Sequence, residues 1–225
     1  MSLVFCSWSG GKDCCLALFR ALNQGMTVRY LANIVSEDGR RSRSHGISAE
    51  VIRAQSQALG IPVIQRPTTN ENYETVFIDM LREFKREGIE GGVFGDIDFD
   101  PHREWDEKVC REVGLKPSLP LWKEDQTALV HEFIDAGFES VIITVKGEFF
   151  GEDMLGRKID KYLLSHLEEF ASNGNVTPAG EAGEYHTLVI DGPIFQKRLE
   201  ILQSDTTERE GYWYLQVHQT GFKDK

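Results

Sequence analysis

The chain has 225 residues, 40% of them apolar, which is enough for a buried core and for one large domain with a smaller appendage. Its formal net charge of −11 argues against direct nucleic-acid binding, which needs a basic face, and no uncharged apolar window of about 18 residues marks a membrane span. Cys6, Cys14, Cys15 and Cys110 have neither a zinc spacing nor a disulfide framework, so reduced thiols and a cytoplasmic location are expected.

The first element is a buried strand, Leu3–Trp8, running into the turn Ser9-Gly10-Gly11-Lys12-Asp13 and then directly into a helix. This order makes a phosphate cradle. Glycines let the backbone turn and bring amides to an anion, the helix N-terminus adds its dipole, and Lys12 adds a point charge. The spacing is not Gly-x-x-x-x-Gly-Lys-Ser/Thr, so an ordinary P-loop is excluded. In the helix, Cys15, Leu18, Phe19 and Leu22 form one apolar stripe, closed by Gly25. A strand at Val28–Ile34 precedes a basic run, Arg40, Arg41 and Arg43, that reads as a solvated loop. Ser48 caps a second helix ending near Leu59-Gly60, ahead of a strand at Ile61–Gln65. Helix Tyr73–Glu87 aligns Val76, Phe77, Met80, Leu81 and Phe84, and a strand follows at Gly92–Gly95.

That strand ends in Gly95-Asp96, then presents Asp98 and Asp100 before a helix over Pro101–Val113, with Asp100 as its N-cap. Carboxylates at a strand's C-terminal edge lie where open α/β sheets bind ligands, so Asp96 is a candidate to orient ribose, adenine or a metal. Arg103 and Glu104, in the first turn, are candidates for polyphosphate and substrate contact; an exposed charge pattern reads equally well from spacing alone. A Pro-punctuated connection from Leu115 leads to helix Gln126–Ala136, capped by Asp125, and to a strand at Val141–Val145. The alternation of short strands and helices predicts a doubly wound, mostly parallel α/β sheet over residues 1–146. From residue 147 the pattern changes to Gly-rich loops, a helix at Lys161–Phe170 and the strands Tyr185–Ile190, Leu199–Leu202 and Tyr212–Val217, which predict a smaller α+β substrate region with antiparallel pairing.

A second motif opens that region's strands: Gly180-Glu181-Ala-Gly183-Glu184-Tyr185-His186-Thr187-Leu-Val. Glu181 and Glu184 suit accepting a proton from an amine, holding Mg²⁺ or binding a cationic substrate group, and a solvated hairpin entry is the bland alternative. His45 and His186 are further candidates, although a lone His more often serves packing.

Ser9-Gly10-Gly11-Lys12-Asp13 resembles the pyrophosphate loop of ATP pyrophosphatases, with Cys14 where a second Ser is usual. Taken with Gly-Glu-x-Gly-Glu-Tyr-x-Thr-Leu-Val, Gly-Asp-Ile, Pro-Leu-Trp and Asp-Gly-Pro-x-Phe, the chain resembles the diphthine–ammonia ligases of that superfamily over nearly its whole length. The resemblance implies an adenine nucleotide alpha-hydrolase-like fold and ligation of ammonia to the diphthine carboxylate of an elongation factor, with ATP split to AMP and pyrophosphate. It implies ATP contacts at residues 9–14, Gly95 and Asp96, with Mg²⁺ at Asp13. Catalytic roles fall on Lys12, Asp13 and Glu184, and acceptor contacts on Glu181, Gly183, Glu184, Tyr185, His186 and Thr187. With no glutaminase domain, free ammonia is the expected nitrogen source, and a homo-oligomer is left open. A ligase for another small carboxylate and a non-catalytic ATP sensor are the alternatives.

Overall fold

A computed structural model describes residues 2–43, 45–172, 174 and 176–225. Five parallel strands, β1 (Leu3–Ser7), β2 (Thr27–Ser36), β3 (Val63–Thr68), β4 (Gly91–Val93) and β5 (Lys116–Ser118), form a sheet in the order β3-β2-β1-β4-β5. The expected doubly wound arrangement is present. Helices α1 (Lys12–Asn23) and α2 (Ala49–Leu59) cover one face, and α3 (Tyr73–Arg86) and α4 (Asp100–Val113) cover the other. The period-2 alternation of β1 shows why both faces need covering, because Val4 and Cys6 enter the first core and Phe5 enters the second, against Phe77, Phe84 and Phe94.

After α5 (Gln126–Asp135), strand β6 (Glu139–Lys146) joins a second, antiparallel sheet of order β7-β6-β9-β8. Helix α6 (Lys161–Ser172) precedes β7 (Tyr185–Asp191), and β8 (Lys197–Arg209) and β9 (Tyr212–Asp224) form a long hairpin. Its two-residue turn puts Glu210 at φ 54° and Gly211 at φ 80°, the handedness that matches strand twist.

Three expectations need correction. The strand at Val141–Val145 exists, but it lies in the antiparallel sheet, so the two sheets part between β5 and β6. The fifth parallel strand is instead Lys116–Ser118, inside the stretch read as a connection. Asp100 is the first residue of α4, and Phe99 holds the N-cap position without a side-chain cap. The other caps are as expected: Ser48 accepts a hydrogen bond from Val51 N at 3.2 Å, and Asp125 accepts one from Ala128 N at 2.8 Å.

The two sheets share one apolar core in which α1 and α2 meet Val141, Ile143, Leu188, Val189 and Leu199. Among the described residues no helix is long and apolar enough to cross a membrane.

Candidate active site

Because β1 and β4 are neighbours whose following helices go to opposite faces, a crevice opens where both strands end. It is a cleft of about 670 Å³. Gly95 lies so close under α1 that a Cβ there would stand 2.7 Å from Cys14 N and 2.8 Å from the Asp13 carbonyl carbon. The β1–α1 turn depends on Gly10, whose φ of 88° strains any residue with a side chain.

The turn is fastened to β7, at the other end of the chain. Val189 N donates to Gly10 O at 3.0 Å, and Lys12 N donates to Thr187 Oγ1 at 3.0 Å. Thr187 therefore caps α1, whose own N-cap residue, Gly11, has no side chain to do so. Gln55 completes the tie. Fully buried, it donates to Gly10 O at 2.9 Å and Val189 O at 2.7 Å, and accepts from Trp8 Nε1 at 3.1 Å.

Lys12 is 4% exposed and donates to Asp13 Oδ2 at 2.9 Å and to the Ala179 carbonyl, 5.3 Å from the centroid of the Tyr185 ring. Burial alone lowers its pKa, but Asp13, Tyr185 and Glu181 together hold the ammonium above its ordinary value. It stays charged. Glu181 is shifted the other way: burial and the Asp13 carboxylate outweigh Lys12 and push it up to about 8. His45 and His186 stack with centroids 4.5 Å apart. Burial depresses both, His186 to about 4, so the pair is neutral at pH 7. His45 Nδ1 is buried without a hydrogen-bond partner among the described residues. At Cys14, burial raises the thiol pKa; Sγ donates to Gly11 O at 3.2 Å and accepts from Ser9 Oγ at 3.3 Å, so this position braces the turn.

Of the residues singled out from the sequence, Ser9, Lys12, Asp13, Cys14, Gly95, Asp96, Glu181, Gly183, Tyr185, His186 and Thr187 line the cleft. Gly10 and Gly11 form the turn behind it. Three side chains are elsewhere. Glu184 is 2% exposed, and its carboxylate accepts from Thr177 N and, at 3.2 Å, from Thr177 Oγ1. Its carboxylate is held within the loop and does not line the cleft. Arg103 is exposed, with Nε donating to Glu107 Oε1 at 2.7 Å and its guanidinium 5.2 Å from the Trp122 ring centroid. Glu104 is exposed outside the cleft. Conversely, Gln55, Tyr73, Trp105 and Asp106 were not identified from the sequence. The first carried a signal: Gln55 interrupts the apolar face of α2 that runs through Ile52 and Leu59.

Two family models divide the chain between them: the diphthamide synthase N-terminal domain matches residues 2–117, and the diphthamide synthase C-terminal domain matches residues 125–223. The chain belongs to the diphthamide synthase family. Relatives include the diphthine–ammonia ligases of Danio rerio, 28% identical over 88% of this chain and 86% of that protein, and of Rattus norvegicus, 28% identical over 89% and 82%. The ligase of Schizosaccharomyces pombe is also 28% identical, over 93% of this chain but only 38% of its own length. Family membership accounts for the convergence of the two motifs, which the N-terminal and C-terminal domains supply separately.

Proposed function

We propose that the cleft is the active site of an ATP-dependent ligase that joins ammonia to a carboxylate, with diphthine on a translation elongation factor as the acceptor. The observation that carries this reading is the bond from Lys12 N to Thr187 Oγ1, which fixes the phosphate cradle against the acidic, Gly-rich loop. Nucleotide chemistry and acceptor chemistry thus share one cavity.

A carboxylate does not react with ammonia at neutral pH until one oxygen becomes a leaving group. ATP supplies that activation, by transferring AMP to the carboxylate with release of pyrophosphate. The donor set fits. Lys12, the Ser9 hydroxyl and the N-terminus of α1 converge on one end of the cleft, where they would hold pyrophosphate and stabilise the charge that develops on it. No group of three or more His, Cys, Asp or Glu side chains that could hold a metal occurs among the described residues. Mg²⁺, which takes one or two carboxylates and completes its shell with phosphate and water, fits Asp13 alone on the protein side. Glu181, with a proton affinity near neutrality, is matched to take a proton from the nitrogen as ammonia displaces AMP. In this reading the parallel sheet carries ATP, and the region from residue 147 carries the acceptor.

Incubating the protein with ATP, Mg²⁺, ¹⁵N-ammonium and diphthine-bearing elongation factor should give ATP-dependent ¹⁵N incorporation at the modified histidine, read by mass spectrometry. No incorporation with a fully modified acceptor would refute the acceptor assignment.

A further inference from the structure

Besides Asp13, the Lys12 ammonium bonds the Ala179 carbonyl, so whatever holds the Gly-rich loop at Ala179 sets where that charge stands. The peptide unit just before is gripped from both sides. Tyr185 Oη donates to its carbonyl, Pro178 O, at 2.7 Å, and its N–H, on Ala179, donates to Gln126 Oε1 at 3.1 Å. Gln126, the first residue of α5, in turn donates through Nε2 to Asp98 Oδ2 at 2.7 Å. Ala179 lines the cleft, whereas Gln126 and Asp98 stand behind it.

We propose that Gln126 and Asp98 are positioning residues, which clamp the Gly-rich loop to the segment between β4 and α4 and so set the Lys12 ammonium, and Glu181 two residues beyond Ala179, for the nucleotide and the acceptor. The effect on ATP binding stands apart from the ligase reading; the effect on turnover rests on it. Only one orientation of the Gln126 amide satisfies both neighbours, because an ionised carboxylate has no hydrogen to give and a backbone N–H cannot accept. Asp98 therefore selects the orientation that presents oxygen to Ala179. Its own segment is fixed in turn: Lys123 Nζ donates to Asp98 O at 3.0 Å, and Lys123 N donates to Ile97 O at 2.6 Å. A cation whose partners are held before phosphate arrives needs less reorganisation on binding. Helix stability alone does not select this residue, since the dipole favours a carboxylate in the first turn and α5 has none there.

The test measures ATP affinity by calorimetry, and thermal unfolding beside it, on the full chain. Gln126→Ala removes both bonds and should weaken ATP by roughly 10-fold. Gln126→Glu should weaken it at least as much, because the new carboxylate meets that of Asp98, while α5 itself gains from the added negative charge. Asp98→Asn, still able to accept from Gln126, should cost less, about twofold. In the double variant Asp98→Asn/Gln126→Glu the roles are exchanged: the amide at 98 donates to the carboxylate at 126, which still accepts from Ala179. Affinity should return to within about threefold of the wild type. Unchanged ATP affinity in Gln126→Ala, no recovery in the double variant, or a loss of affinity that simply follows a fallen melting temperature overturns the proposal. At saturating ATP, the rate of amide formation should show the same loss and the same rescue. The full pattern of ATP binding in a protein that forms no amide upholds the clamp and counts against the ligase reading alone.

Discussion

Lys12 keeps its charge in a position where burial alone would favour the neutral amine, because three acidic or phenolic groups surround it. Replacing it with Ala should weaken ATP binding by about 1.5–3 kcal/mol, roughly 10- to 100-fold by calorimetry, the usual range for a charge-assisted contact. The two loop carboxylates should separate in function. Glu181→Gln should leave ATP binding near normal and lower amide formation by on the order of 10²-fold, as expected for loss of a general base. Glu184→Gln should keep most turnover and lower the melting temperature, because the carboxylate it replaces bonds Thr177. Both residues were visible in the motif, but their roles were not. Two glutamates three apart on a loop differ only by which way the chain turns, and the sequence does not carry that information. Asp106 gives a pH prediction. Its folded pKa is raised above the ordinary carboxyl value, so the native state binds more protons than the unfolded state between about pH 4 and about pH 9, and stability from this group falls as pH rises. The melting temperature of Asp106→Asn minus that of the wild type should therefore grow from pH 5 to pH 8. A flat difference would mean that Asp106 ionises normally.

At the scale of elements, the join of β1, α1 and β4 is the tightest constraint on the site. Gly95→Ala would place a methyl group within 3 Å of α1 backbone that has no free side chain to move, and should cost about 1–3 kcal/mol in urea unfolding together with a loss of ATP affinity. Elements with strong periodicity were legible: α1, α2, α3 and α5, and the caps Ser48 and Asp125, stand where spacing put them. Strand β5 was not, since three residues with a central Pro117 carry no period. It is tolerated because it sits at the sheet edge. Strand β6 was legible as a strand and not as to its sheet. Val-Ile-Ile-Thr-Val is buried on both faces, which suits the middle of a parallel sheet, but here the strand lies between antiparallel β7 and β9, and Val141, Ile142, Ile143 and Val145 all enter the shared core.

For the whole molecule, the main structural fact is that two sheets with different strand arrangements share a core and close one cleft. Gln55, on α2, bridges the cradle to β7, so Gln55→Leu should uncouple them: we expect a fold-retaining protein with weaker ATP binding and a larger loss of turnover than of affinity, read by separate binding and rate measurements. The central claim of the proposed reaction is that the acceptor carboxylate attacks the α-phosphate in this cleft. ATP labelled separately at the α and γ positions, supplied with Mg²⁺, ammonium and a competent acceptor, should yield AMP and pyrophosphate in equal amounts and in step with amide formed. ADP and orthophosphate as the products would contradict the account.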